Sequence, residues 1–263
     1  MLINVNDIVM NYELVGAESG PVVMFSHSLA ANLYMWDHQV IALQDSFQVL
    51  RYDIRGHGQT AAGNVPYNLE LLTTDAIGLL DALKIEVVHF VGLSLGGMIG
   101  QSAAMQFPGR FRTLCLCDTT SYMPPEILQS WKDRIETAKT DGMDALVETT
   151  IMRWFSDKFQ KNEQLIIDQV RTMIETTTVD GYCGCAQSIM NLDITSGLST
   201  ISVPTLLMVG ENDPGTPVSA HQLMHENIKH SQLNILPNAL HLSNIEESQK
   251  FNEILVSFLH RNL

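Results

Sequence analysis

Positive charge is scarce in this sequence. Fifteen lysines and arginines stand against 29 aspartates and glutamates, a formal charge of −14 with the histidines neutral. That balance repels phosphate backbones and anionic membrane surfaces, so nucleic acid is not an expected partner. Long apolar runs are missing as well. No stretch of about 18 apolar residues occurs, and the amino terminus MLINVNDIVMNYEL has no basic segment and is interrupted by Asn, Asp and Glu. Neither a membrane span nor an export signal is expected, which makes a cytoplasmic location the expectation. Cysteine is limited to two C-x-C pairs, Cys115/Cys117 and Cys183/Cys185. Neither pair has the C-x-x-C spacing of a zinc knuckle or a redox helix, so buried reduced thiols are expected.

What is there is apolar. Hydrophobic residues make up 45% of the 263 positions and charged residues 17%, enough for a large core and too little charge for a disordered chain. One catalytic domain with room for an inserted subdomain fits this length. The first fifteen residues read as a hairpin turning at Asn6-Asp7. Beyond it, short apolar runs at 22–26, 47–52, 87–91, 112–117, 204–209 and 231–236 read as strands buried on both faces, as a parallel sheet requires. Leu69, Leu72, Ala76, Leu79, Leu80 and Leu83 repeat at helical spacing, as do Phe251, Ile254, Leu255, Phe258 and Leu259. Thr216-Pro217 reads as an N-cap and first-turn proline. The alternation is that of an α/β fold, a mostly parallel central sheet with helices on both faces.

The alternation stops between about 122 and 197. No strand pattern occurs there, Pro124-Pro125 opens the stretch, and 126–139, 143–155 and 162–175 carry helical apolar spacing. The expected organisation is a core of residues 1–121 and 198–263 with a helical lid, 122–197, inserted between two strands.

Chemistry enters at Gly92-Leu93-Ser94-Leu95-Gly96, which follows an apolar strand directly and leads into the small-residue segment LGGMIGQSAAMQF. Strand, tight turn and helix are the setting of a nucleophile elbow, in which side chains two positions either side of the serine would collide. The helix aims its amino end at Ser94, so the Leu95 N–H is half of an expected oxyanion hole. A serine hydroxyl needs a base. His241, in the loop after the last strand, is the candidate among nine histidines. Asp213, after the preceding strand, is the candidate acid behind it, preferred on position over Asp118 at the end of the 112–117 strand and over the adjacent Glu211. Leu29, in the His27-Ser28-Leu29 loop, is the candidate for the second oxyanion N–H, with His27 holding the loop. Arg55-Gly56-His57-Gly58 reads as turn architecture.

The segments HSLAANLYMWDHQV, VLRYDIRGHGQT, GLSLGGMIGQ, VGENDPGTPV and ALHLSNIE together resemble α/β-hydrolases of the 3-oxoadipate enol-lactonase type over most of the chain outside the lid. The resemblance implies the α/β-hydrolase fold, an esterase or lactonase activity, the triad Ser94, Asp213 and His241, and oxyanion donors at Leu29 and Leu95. It adds Arg153 and Trp154, in the segment Arg153-Trp154-Phe155, as substrate-binding residues, and it implies neither metal nor organic cofactor. The expected partner is a small ester or lactone. A substrate bearing a free carboxylate needs a local cation in this acidic chain, with Arg153, Arg134 or Lys132 as candidates; if all three face solvent, a neutral ester is the better fit. A perhydrolase and a slow-turnover ligand receptor on the same fold are the competing readings.

Overall fold

Asn6 turns the chain in the left-handed region, φ 50°, and pairs β1 (Leu2–Val5) with β2 (Ile8–Gly16). A computed structural model describes residues 1–64 and 66–263. After the hairpin, strands and helices alternate: β3 (Val22–Ser26), α1 (Asp37–Leu43), β4 (Gln48–Tyr52), α2 (Leu69–Ala82), β5 (Val88–Leu93), α3 (Leu95–Gln106) and β6 (Phe111–Cys117). Five helices follow: α4 (Leu128–Asp141), α5 (Val147–Trp154), α6 (Asp157–Asn162), α7 (Gln164–Glu175) and α8 (Val179–Met190). The chain then rejoins the sheet with β7 (Thr205–Gly210), α9 (Val218–Asn227), β8 (Ser231–Leu236), α10 (Ser243–Glu246) and α11 (Ser248–Arg261).

The eight strands lie in the order β1-β2-β4-β3-β5-β6-β7-β8. β2 runs antiparallel to β4, and every pair from β4 to β8 is parallel. Successive strand residues point to opposite faces, so the unbroken burial of all six residues in β5 and in β7 means that helices cover both faces. α1 packs with α11, and α2 with α3. The reading of 231–236 as a doubly buried strand is corrected: β8 is the sheet's edge, and only Leu236 of its six residues is fully buried. Its apolar run is short and interrupted by Gln232 and Asn234, the composition of a strand with one free side.

α8 lies in a stretch, VDGYCGCAQSIM, whose glycines and cysteines hide a helical period, and no helix was expected there. Gly184 is required by the packing of this helix, since a Cβ there would overlap the Tyr67 ring. The helices α4 to α8 leave and re-enter the core through a narrow neck. Tyr122 bridges Asp193, Met123 N–H donates to the Leu192 carbonyl at 3.0 Å, and Ile194 N–H donates to that of Ser121 at 2.9 Å. All four cysteines are free and buried. Among the described residues no helix is long and apolar enough to cross a membrane.

Candidate active site

Strands 3, 5, 6, 7 and 8 are consecutive neighbours in the parallel part of the sheet, so the loops after their carboxyl ends gather along one edge. Ser94 sits after β5 with φ 56° and ψ −115°, a backbone conformation that L-residues rarely adopt. The two flanking glycines are sterically required. A Cβ on Gly92 would overlap the Gly96 carbonyl, and one on Gly96 would overlap the carbonyl of Ser26 at the end of β3. The turn is braced from both sides: Ser94 N–H donates to the Cys117 carbonyl at 2.9 Å, and Thr119 Oγ1 donates to the Ser94 carbonyl at 2.7 Å.

Three carboxylates were candidates for the acid, and their contacts separate them. Asp213 Oδ2 lies 2.8 Å from His241 Nδ1. The same oxygen accepts the Thr216 hydroxyl at 2.6 Å, while Oδ1 accepts the amides of Gly215 at 2.8 Å and Thr216 at 3.1 Å. Burial pushes this carboxyl up, but the charge and hydrogen bond of His241 and the bonds from Thr216 outweigh it and hold the group below the usual carboxylate range. Asp118 instead accepts the Gly210 amide at 2.8 Å and the Ser243 hydroxyl; burial, then the charge of Asp213, raise it well above the usual range. Glu211 accepts the Asn238 amide at 3.1 Å. Only Asp213 touches the histidine among these three.

The expected N-cap at Thr216 is corrected here. α9 begins after Pro217, and no side chain caps it. The Thr216 hydroxyl is used on Asp213 instead, an assignment that the Asp-Pro-Gly-Thr spacing allows and that capping statistics alone do not distinguish.

Two buried imidazoles hold the loop that carries Leu29. His27 Nδ1 donates to the Ser28 carbonyl at 2.7 Å and its Nε2 accepts the Ile54 amide at 2.8 Å. His57 Nδ1 donates to the Arg55 carbonyl at 3.0 Å and its Nε2 accepts the Ala30 amide at 3.0 Å. Each ring therefore acts as one donor and one acceptor, the neutral form. Burial lowers His27 to about 4 and, joined by the charge of His27, lowers His57 to about 3. The peptide joining Ser28 to Leu29 is anchored by its carbonyl, and in a trans peptide the Leu29 N–H points the opposite way.

Ser28, Leu29, Ser94, Thr216 and His241 line a cavity of 290 Å³. Its walls are largely apolar, with Met98, Met123, Trp131, Trp154 and Ile189. Trp154 lies 6.4 Å, centroid to centroid, from His241. The polar exceptions come from the inserted helices: Arg134 from α4, Arg153 from α5 and Tyr182 from α8 all line the cavity. Arg134 stacks 4.0 Å over the Trp131 ring, and Arg153 Nη2 donates to Thr150 Oγ1 at 3.1 Å. Among the described residues neither guanidinium has a carboxylate within ion-pair distance. Burial lowers both, and for Arg153 the neighbouring charge of Arg134 adds to the effect. Lys132 is exposed and does not line the cavity, which removes it from the candidate cations. Trp131 and Tyr182 were not expected at the site. Trp131 lies one helical turn from Arg134 on α4, a signal that helix periodicity could have carried.

A family model described as alpha/beta hydrolase fold matches residues 21–166. The chain is similar to 3-oxoadipate enol-lactonase 2 of Acinetobacter baylyi, 34% identical over 255 residues, covering 97% of this chain and 94% of that one. It is similar in structure to the enol-lactonase of Burkholderia xenovorans LB400, with a TM-score of 0.95 and 33% identity, covering 99% and 100% of the two chains. A thermophilic esterase from Thermogutta terrifontis, solved with malate bound, superposes with a TM-score of 0.93 at 26% identity, covering 99% and 98%.

Proposed function

The chain belongs to the alpha/beta hydrolase fold family and hydrolyses carboxylic esters or lactones, and from that premise we propose that its substrate is a small ester or lactone carrying a free carboxylate. The observation that supports this is the make-up of one cavity: Ser94 and His241, the latter bonded to Asp213, share a largely apolar lining with two half-buried arginines, Arg134 and Arg153, that have no acidic partner among the described residues. In a chain of formal charge −14, two such cations facing one cavity are what an anionic substrate needs in order to bind. The relatives agree in chemistry, since enol-lactonases act on a lactone and the malate bound to the esterase relative is a dicarboxylate.

In the proposed reaction His241 Nε2 takes the Ser94 hydroxyl proton as Oγ attacks the substrate carbonyl carbon. The N–H groups of Leu29 and Leu95 hold the resulting oxyanion; each is worth roughly 3 kcal/mol in such a site. The tetrahedral intermediate collapses, the bond to the leaving oxygen breaks, and that oxygen takes the proton from His241. Water then gives a proton to His241 and attacks the acyl carbon, which frees the acid and restores Ser94. Asp213 keeps the imidazole oriented with Nδ1 as the donor. The helices α4 to α8, within residues 122–197, act as the lid that supplies the carboxylate subsite, with Trp154 packed on the base and Arg153 beside it in sequence.

The test compares a half-ester that has a free carboxylate with its neutral methylated analogue, alongside 3-oxoadipate enol-lactone, and follows acid release. Wild type should favour the carboxylate-bearing compounds at least tenfold in kcat/KM, and a double Arg134→Met, Arg153→Met variant should lose that preference. A neutral ester turned over best, with the double variant unchanged, refutes the carboxylate assignment. A Ser94→Ala protein that hydrolyses either compound at the wild-type rate refutes the serine mechanism.

A further inference from the structure

His241 is flanked on both sides by backbone bonds that lead to the same short segment of the inserted helices. On one side, Leu242 N–H donates to the Trp154 carbonyl at 3.3 Å. On the other, Leu240 N–H donates to Glu246 Oε2 at 2.8 Å, and the second oxygen of that carboxylate, Oε1, accepts the Ser156 N–H at 2.9 Å. The segment 154–156 is thus joined to the loop 240–242 by one direct bond and by one carboxylate with an oxygen on each partner. It is also the segment that follows Arg153 and carries Trp154, both of which line the cavity.

From this arrangement, and resting on the preceding assignment of a substrate carboxylate to the arginines, we infer that Glu246 is a positioning residue that couples occupation of the arginine subsite to placement of the catalytic base. Its carboxylate is suited to the task. Each oxygen accepts one amide, both bonds are charge-assisted, and their rigid O–C–O geometry fixes the spacing between Ser156 and Leu240. Pulling Arg153 toward a substrate carboxylate tensions the end of α5, and the tension reaches the histidine loop through Glu246 and through the Trp154 carbonyl. A glutamine cannot replace it. Its one oxygen can accept one amide, but its NH₂ meets the other amide donor to donor, so one of the two arms is lost at nearly constant volume.

The experiment is a double-mutant cycle of wild type, Glu246→Gln, Arg153→Met and the double variant, with rates normalised to active sites titrated by an acylating burst. The substrate is the carboxylate-bearing half-ester. Glu246→Gln should lower kcat about tenfold while KM changes by less than about threefold, the effect of one lost charge-assisted bond expressed at the base rather than in binding. The fall in kcat/KM of the double variant should be smaller than the product of the two single falls by about fivefold or more. If the single effects multiply to within about twofold, or if Glu246→Gln keeps wild-type kcat and loses only thermal stability, the inference is overturned. Should Glu246→Gln fail to fold, Glu246→Asp, which keeps the charge but is one methylene too short to span both amides, carries the same test. Wild-type protein without Ser94-dependent hydrolysis would instead refute the proposed function, a result separate from any failure of the coupling.

Discussion

Lowering the pH sets the protons of the folded and unfolded chains against each other. Besides His241, four histidines are buried: His27, His57, His89 and His221. Burial lowers His27, His89 and His221 to about 4 and His57 to about 3. In the unfolded chain each accepts a proton near the ordinary value of about 6.5. Between that value and the folded one, the unfolded state holds four more protons than the native state at these sites, so stability is present above about 6.5 and is lost as the pH falls. Asp118 works the other way: burial and the charge of Asp213 raise it in the native state, so its proton is held more tightly there than in the unfolded chain and opposes the histidines. Four histidine protons at about 1.4 kcal/mol per pH unit each give a loss of up to about 5 kcal/mol per unit below about pH 6, which Asp118 reduces. Over the two units from pH 6 to pH 4 the loss is comparable with a typical total of about 5–15 kcal/mol, so the protein should be strongly destabilised by about pH 4. Urea titrations followed by near-UV circular dichroism at pH 7.5, 6 and 5 measure the slope. A difference of less than about 1 kcal/mol between pH 6 and pH 5 would refute the neutral, buried state of these rings.

Thr216→Val removes the hydroxyl that bonds Asp213 Oδ2 at 2.6 Å but keeps the two amides and His241. The loss of a bond to a charged group, about 1.5–3 kcal/mol, should lower kcat at least tenfold with KM nearly constant, and Thr216→Ser should restore it; steady-state kinetics at pH 7.5 decides. Gly96→Ala drives a Cβ into the Ser26 carbonyl and should abolish the acylation burst, whereas Gly109→Ala, where a Cβ meets nothing within 4 Å, should leave burst and melting temperature unchanged.

The parallel core was legible because β5 and β7 are, His89 and Thr205 apart, runs of apolar residues and glycine punctuated by loops, a pattern few other arrangements satisfy. The proposed serine, acid and histidine could be picked out because each falls just after a recognisable strand; His241 lies 2.8 Å from Asp213 and lines one cavity with Ser94. What could not be read depends on direction rather than position. Nothing in the sequence distinguishes a threonine that caps a helix from one that turns back onto an aspartate three residues earlier, as Thr216 does. Arg134, Arg153 and Lys132 were equivalent as charges, and only the rotation of α4 and α5 turned two of them toward the cavity and left the third in solvent. The edge position of β8 depends on what fails to pair beside it, which no local pattern encodes. Glu246 was overlooked because both of its partners are backbone amides, and amides have no residue type to recognise.

The backbone at Ser94 carries a further consequence. A side chain held at φ 56° and ψ −115° costs of order 1–3 kcal/mol, and a glycine at that position would escape the cost while losing only about 0.4–1 kcal/mol through a more flexible unfolded chain. Ser94→Gly is therefore a more stable protein than the one that works, and Ser94→Ala, which keeps the Cβ, is not. Under the proposed serine mechanism, drift toward greater stability at this position leads out of catalysis, and selection on turnover is what keeps the serine in place.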